Sequence, residues 1–423
     1  MSDYLSINET QKQAMLKKIG VEKVDDFYQD IPPRMRAKPL QIPEAKSIKE
    51  TIEYMKSVSD FNYQYKTILV GAGCYNHFIP QVIKKMAGRD IPHTAKISST
   101  QEGSDGLAQI LYEYEKILSS LTGIDVTTSP QDSGAVAAAK ACLMCAEKGQ
   151  KVLTFDNINP DLLDVLKTYL SLRGIKLIIY NTKDGRASVS ALKKIKDIAC
   201  VVLQTPNFYG LIENGKSIAQ LVHAYGAKLI VYTNPISLGL LQAPGDYDAD
   251  IAVGDLQPLG LGMNYGGATL GFLCAKRKMA SKLPGIVVDR KKDKFTFKKN
   301  GEKADEIELS SKEILSALTS VVYLNSVGTK GLRDLGIVNT SNAHYLATGL
   351  EYVGCGIKYP TEFFNEFVTV IPGRAKRVQQ ALHNEGVLGG WVLNDDEILW
   401  CCTEEVSKDE IDNVVNTVGG VLW

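Results

Sequence analysis

The feature that most constrains this chain is a run of short apolar segments, separated by helical ones, between residues 151 and 275. The segments are "KVLTF" (151–155), "IKLIIY" (175–180), "ACVVLQ" (199–204), "KLIVY" (228–232), "DIAVG" (250–254) and "LGFLCA" (270–275). They are nearly continuous in Val, Ile and Leu rather than alternating, so each must be buried on both faces. The stretches between them include "PDLLDVLKTYLSLRG" and "GKSIAQLVHAYG", with apolar residues at helical spacing. Strands joined by helical crossovers predict a mostly parallel sheet covered on both faces, an α/β domain. "LGFLCA" follows "DIAVG" across a glycine-rich loop with no room for a helix and is expected to enter antiparallel.

The flanks differ in pattern, and the reading divides the chain into three parts. Residues 1–65 form a helical arm: "NETQKQAMLKKIG" has Asn8 as a cap and closes at Gly20, and "AKSIKETIEYMKSVSD" carries Ile48, Ile52 and Met55 at helical spacing. Between them, prolines 32, 33, 39 and 43 predict a largely extended segment. Residues 66–335 hold the large α/β domain, which begins near the apolar "KTILV". Within it, "VVDRKKDKFTFKKNGEKADE" suggests an exposed loop or hairpin around Asn300-Gly301, and "SSKEILSALTSVVYLNSVG" is a helix. Residues 336–423 offer "FNEFVTVIPG", the helix "RAKRVQQALHNEG", the strand "EILWCCTE" and the helix "SKDEIDNVVNTVGG", a small α+β domain.

Several function classes are disfavoured. Lysine plus arginine and aspartate plus glutamate both total 48 over 423 residues, so no global field favours nucleic acid or an anionic membrane. No apolar run reaches membrane-spanning length, and the N-terminus resembles neither a secretory nor a transit peptide, which leads us to expect a cytoplasmic protein. The eight cysteines fit reduced thiols better than a disulfide framework. Cys142 and Cys145 fall on one face of an Ala-rich helix and are read as small buried apolar residues rather than a redox or metal pair; Cys401 and Cys402 face opposite sides of a strand. Five histidines without a second ligand pair at zinc spacing give no metal site.

Three motifs need weighing. "GLIENGKS", Gly210 to Ser217, has the spelling of a phosphate loop, but "TPNFY" separates it from the strand that should feed it, and Asn234 stands where a magnesium-holding aspartate is expected. "GAGCYN" resembles the start of a dinucleotide fingerprint but has Asn76 at the third glycine, so a turn that needs freedom at Gly71 and Gly73 is preferred. His77, in the same loop, is a candidate for acid–base or ligand contact, with a structural role as the alternative. Ser133 and Gly134 open a small-residue helix whose N-terminus could hold an anion or could be an ordinary cap.

The ordered set "LTGIDVTTSPQDSGAVAAA", "VLQTPNFYGLIEN", "LVHAYGAKLIVYTNPISLGLLQAPGDYDADIAVGDLQPLG", "NYGGATLGF" and "FNEFV", with "GAGCYNHFIP" before it, resembles the glycine dehydrogenase (decarboxylating) family. It is most similar to the alpha subunit (subunit 1) of the two-subunit glycine cleavage P-protein, and the resemblance spans almost the whole chain. It implies the fold type I, aminotransferase-like architecture of pyridoxal-phosphate (PLP) transferases, with a small C-terminal domain, in a heterotetramer with a PLP-bearing beta subunit. In the complete enzyme PLP condenses with glycine, serves as the electron sink for decarboxylation, and the aminomethyl group passes to the lipoylated H-protein. A PLP enzyme of this fold needs a lysine after strand 250–254 and a carboxylate at the end of strand 228–232; this chain has Gln257 and Asn234-Pro235. A neutral amide can neither form the aldimine nor supply the negative charge. The resemblance therefore implies a vestigial pocket at Ser133, Gly134, Asn234 and Gln257, with no covalent cofactor on this chain. Lys276 and Lys278 are poor substitutes for the lysine. Tyr75, His77 and Gln101 are candidates to contribute at the subunit interface.

The chain also departs from the family pattern. "ISSTQEGSDG" (97–106) replaces a stretch ending "QPEISQG", the region 301–312 lacks a basic stretch, "GEGQPLG" is "GDLQPLG", and "YDHYIP" is "YNHFIP". Two further readings therefore stand beside the alpha subunit: a non-catalytic paralogue acting as a binding or scaffold protein, and a phosphate-loop nucleotide hydrolase.

Overall fold

The computed structural model describes residues 7–38, 41–87, 97–98, 105–188, 197–263, 267, 269–292, 294–300, 308–309 and 311–422. It divides into two compact units, Met1–Tyr63 and Gln64–Trp423. In the first, the helix Glu9–Ile19 starts in a capping box between Asn8 and Gln11 and stops at Gly20, whose φ of 89° takes it out of helical geometry. The helix Ile48–Ser59 has the same device in Ser47 and Glu50. Among its described residues, the intervening segment contains a short turn. Pro33 opens a short 3₁₀ turn to Met35, and the Arg36 guanidinium donates to the carbonyls of Ile31 and Tyr28.

The second unit is built on a seven-stranded sheet in the order Val126–Thr127, Gly271–Ala275, Ile251–Asp255, Lys228–Tyr232, Ile198–Gln204, Lys151–Phe155 and Lys176–Tyr180. The last five run parallel, and Gly271–Ala275 is antiparallel to both its neighbours, as its short connection predicts. Alternate side chains enter opposite cores. Leu153, Val201, Leu203, Leu229, Val231 and Phe272 meet the helices Asp105–Thr122 and Gly215–Ala224 on one face. Val152, Val202, Ile230, Ile251, Val253 and Leu273 meet Gly134–Cys145 and Pro160–Leu172 on the other. Ala137, Ala138, Ala141 and Cys142 line this second contact, so the C-x-x-C helix serves as a small-residue packing face. All eight cysteines are free thiols.

The "KTILV" segment pairs elsewhere: Thr67–Ile68 lies parallel to Val387–Leu388, and Leu69 is buried in the C-terminal core. One expectation needs correction. The lysine-rich segment is a hairpin, but it reverses at Lys291 and Lys294, while Asn300 pairs with Gly285. One side of it is not exposed, because Ile286 and Val288 pack against Leu107 and Leu111. The helix expected to end at Gly328 does break there: Gly328 (φ 66°, ψ 176°) is non-helical and separates it from a second helix that runs on to Tyr352.

The C-terminal sheet has the order Gly356–Ile357, Glu366–Val370, Glu397–Cys401, Trp391–Val392, all antiparallel. It packs with Ala375–Asn384, Lys408–Leu422 and the end of the long helix around Trp400, Phe367, Leu346 and Val414. Its link to the large sheet runs through residues 210–212, where Leu211 bridges Phe363 and the Phe364 N–H donates to the Gly210 carbonyl. Gly210 has φ of 82°, and a Cβ there would collide with the Glu366 carbonyl. We expect Gly210→Ala to lower unfolding free energy by roughly 3 kcal/mol, measured by urea denaturation, because the change adds strain and overlap at once.

Candidate functional site

The parallel strands deliver Gln204, Tyr232 and Asp255 to one edge of the sheet, their carboxyl ends, where ligands of open α/β sheets bind. A narrow cleft of about 20 Å³ lies there, lined among others by Gly73, Tyr75, Asn159, Asn234, Pro258 and Glu366. Many of the polar groups around it are engaged within the chain. Gln257, 6 % exposed, donates from Nε2 to the carbonyls of Tyr75 (2.9 Å) and Leu261 (3.0 Å) and accepts from the Tyr75 N–H (2.9 Å). The Asn234 side chain accepts from Ile236 N–H at 3.0 Å, folding onto its own 3₁₀ turn. Ser133 caps its helix through Val136 N–H (3.3 Å), and Gly134 N–H donates to Asp255 Oδ2 (3.2 Å). Asp255 Oδ1 accepts from Gln257 N–H at 3.0 Å. Burial pushes the Asp255 carboxyl above its ordinary range, against the pull of these two donors.

The loop Gly71–Tyr75 closes the cleft from the side of the C-terminal sheet. Glu366 reaches it from its strand, accepting from Ala72 N–H (2.6 Å) and from the Tyr75 hydroxyl (2.8 Å). Gly71 is pressed against Glu366 and Cys401, and Gly73 has φ of 104°, so the "GAG" spelling reflects a tight turn. Asn159 Nδ2 donates to the Ala72 carbonyl (2.9 Å), and Asn159 N–H donates to Gln204 Oε1 (2.7 Å). Glu366 is buried with no cation paired to it among the described residues, and desolvation raises its carboxyl to about 7 despite the two donors. Sequence reasoning missed Glu366 and Asp255; the available signals were an acid inside the apolar strand "NEFVTV" and an acid closing "IAVGD".

Tyr75 and His77 lie close, with ring centroids 6.2 Å apart, and both are buried. His77 Nδ1 meets Glu404 Oε2 at 2.8 Å, and Glu404 Oε1 accepts from Phe78 N–H at 2.8 Å. Burial opposes charge on Glu404, yet His77 and the Phe78 N–H hold its carboxyl below the usual range. Among the described residues His77 Nε2 has no hydrogen-bond partner. Gln101 lies outside the described residues.

Two other groups are placed away from the cleft. Lys276 and Lys278 follow the antiparallel strand, which returns them to the opposite edge of the sheet. There Lys276 pairs with Asp248 and Lys278 with Asp250 (3.1 Å), beside His223. "GLIENGKS" does not form a phosphate loop. The helix starts only at Gly215, with Asn214 capping Ser217 N–H (3.1 Å), and the Glu213 carboxylate accepts from Asn157, Asn207 and Ala187 N–H inside the turn. No group of three or more acidic, Cys or His side chains able to hold a metal occurs among the described residues.

A family model described as glycine cleavage system P-protein matches residues 2–418. The chain belongs to that family. A probable glycine dehydrogenase (decarboxylating) subunit 1 of Desulfitobacterium hafniense is 33 % identical over 449 residues, covering 99 % of this chain and 100 % of the relative. The designation "subunit 1" implies a companion subunit. A crystal structure of glycine decarboxylase (P-protein) of the glycine cleavage system, in inhibitor-bound form, is similar with a TM-score of 0.86 and 29 % identity, each chain fully covered. A C-DES variant with glycine covalently linked to its PLP cofactor shares the fold at 14 % identity, with a TM-score of 0.64 over 84 % of this chain and 96 % of that one.

This P-protein chain thus has the fold of PLP-dependent transferases. At the position where the resemblance led us to expect a lysine stands an amide with three internal hydrogen bonds, a second amide is folded onto its own turn, and a carboxylate faces the first N–H of the helix Gly134–Cys145. Gln257 also has a structural duty that the word vestigial omits, since it pins the loop through Tyr75. We expect Gln257→Ala to cost about 1–3 kcal/mol in chemical denaturation, because it leaves buried backbone groups of Tyr75 without partners.

Glu366 sets a pH dependence. Its proton is held up to about pH 7 in the folded chain but leaves near the ordinary value of 4.5 in the unfolded one. Between those values the folded state binds more protons, so this group's stabilisation is full below the lower value and falls as pH rises toward the upper. The stability advantage of Glu366→Gln over the native chain should therefore grow across that window, by a few kcal/mol in order of magnitude, in urea titrations at stepped pH.

Proposed function

We propose that this chain is the alpha subunit (subunit 1) of glycine dehydrogenase (decarboxylating). On this reading it binds no PLP of its own and supports a lysine-bearing beta subunit that decarboxylates glycine and passes the aminomethyl group to lipoylated H-protein. The observation that carries it is Gln257. A chain matched from residue 2 to 418 by the P-protein family has, at the fold's lysine place, an amide built into the backbone of Tyr75. Its neighbours add support, because the Asn234 side-chain oxygen and the Gly134 N–H are both engaged within the chain.

The chain's own contribution is then a stable, ligand-free fold that completes its partner. The cytoplasm is the compartment this reading assigns, and no helix among the described residues is long and apolar enough to cross a membrane. The places proposed for contact with the partner's site are Tyr75, His77 and Gln101.

The test uses the purified chain, its companion subunit and lipoylated carrier protein. PLP followed by borohydride should leave no lysine adduct on this chain, read by intact mass. Glycine decarboxylation should be absent with this chain alone and appear when the companion is added. A trapped lysine on this chain would overturn the cofactor-free reading, and a companion indifferent to its presence would leave the scaffold reading in its place.

A further inference from the structure

We propose that Asp255 is a built-in anion that closes this chain to phosphate-bearing cofactors, its carboxylate standing at the N-terminus of the helix Gly134–Cys145. The inference rests on the cofactor-free reading above and names the residue that enforces it. The first N–H groups of a helix attract anions through unpaired donors and the helix dipole. Here Gly134 N–H donates to Asp255 Oδ2 at 3.2 Å and Val136 N–H to the Ser133 hydroxyl at 3.3 Å, so both donors already have acceptors. The carboxylate is fixed from its other side by Gln257 N–H at 3.0 Å on Oδ1. It also lines the cleft together with Tyr75, Tyr232, Asn234 and Glu366, the place where a ring-bearing cofactor would have to lie.

A phosphate brought to this helix end would meet a negative group that is itself largely buried, where like charges repel strongly. The lost lysine is therefore not the sole barrier. Asp255 Oδ1 also orients the backbone of Gln257, which in turn holds Tyr75, so the internal anion and the pinned loop form one continuous closure.

The experiment compares the full-length native chain with Gln257→Lys, Asp255→Asn and the double variant; Asp255→Ser, also neutral and an acceptor, replaces Asn if that protein does not melt cooperatively. The first arm measures the thermal midpoint in inorganic phosphate against chloride of equal ionic strength. The native chain and Gln257→Lys should show no phosphate-specific shift, and Asp255→Asn should gain one of several degrees. The second arm adds PLP and borohydride and maps the adduct by peptide mass. The double variant should trap PLP at residue 257 at least ten-fold more than Gln257→Lys. Equal trapping by those two proteins, or a cooperatively folded neutral variant with no phosphate shift, would overturn the role of Asp255. Trapping by the native chain would instead sink the cofactor-free reading.

Discussion

Gln257 exchanges two hydrogen bonds with the backbone of Tyr75, and the arrangement at the carboxyl edge of the sheet depends on that pair. A parallel sheet ends in a row of side chains that leave their strands together, partly out of water. In an enzyme of this fold a ligand can satisfy that row; here the chain does so itself. Gln257 holds the loop from above, Glu366 holds it from the C-terminal sheet, and Asn159 ties it to Gln204 on a central strand. The amide has both donor and acceptor functions, which lets one side chain take the N–H and the carbonyl of a single residue. A lysine, with donors alone, could not make that pair.

The sheet was legible in the sequence because its determinants are local. Continuous Val, Ile and Leu runs of strand length, with helices between, leave one architecture, and the six expected strands appear within one residue of their predicted ends. The antiparallel entry of Gly271–Ala275 followed from loop length alone. Partner choice is not local. "KTILV" ends in apolar residues like the central strands, but nothing within it says that Val387–Leu388, more than three hundred residues later, is its neighbour. The hairpin turn was misplaced for a related reason: Asn-Gly is a strong turn signal, but the register is set by Ile286 and Val288 reaching the core beneath.

The site was legible in outline and silent in detail. Gln257 could be read from one letter after a strand, and Asn234 from the end of another. The contacts around them could not, since Glu366 lies 291 residues from Tyr75 and Asp255 lies 121 residues from Gly134. Burial turns such acids into informative residues, because an acid kept from water must find donors. The sequence shows the acid and not its burial. Lys276 and Lys278 illustrate the converse: strand direction alone carries them to the opposite edge, where Asp248 and Asp250 hold them.

The long helix Ser311–Tyr352 enters both halves of the larger unit. Ala317, Val321 and Tyr323 lie in the core under the large sheet, and Ala343, Leu346 and Leu350 lie in the core of the C-terminal one. Gly328 lets the two stretches differ in direction without interrupting the chain. Each stretch is packed by its own core, with Gly328 as the break between them. The first amides after Gly328 open a new helix, so they exchange with solvent locally, while those deeper in each stretch wait for the loss of their own core.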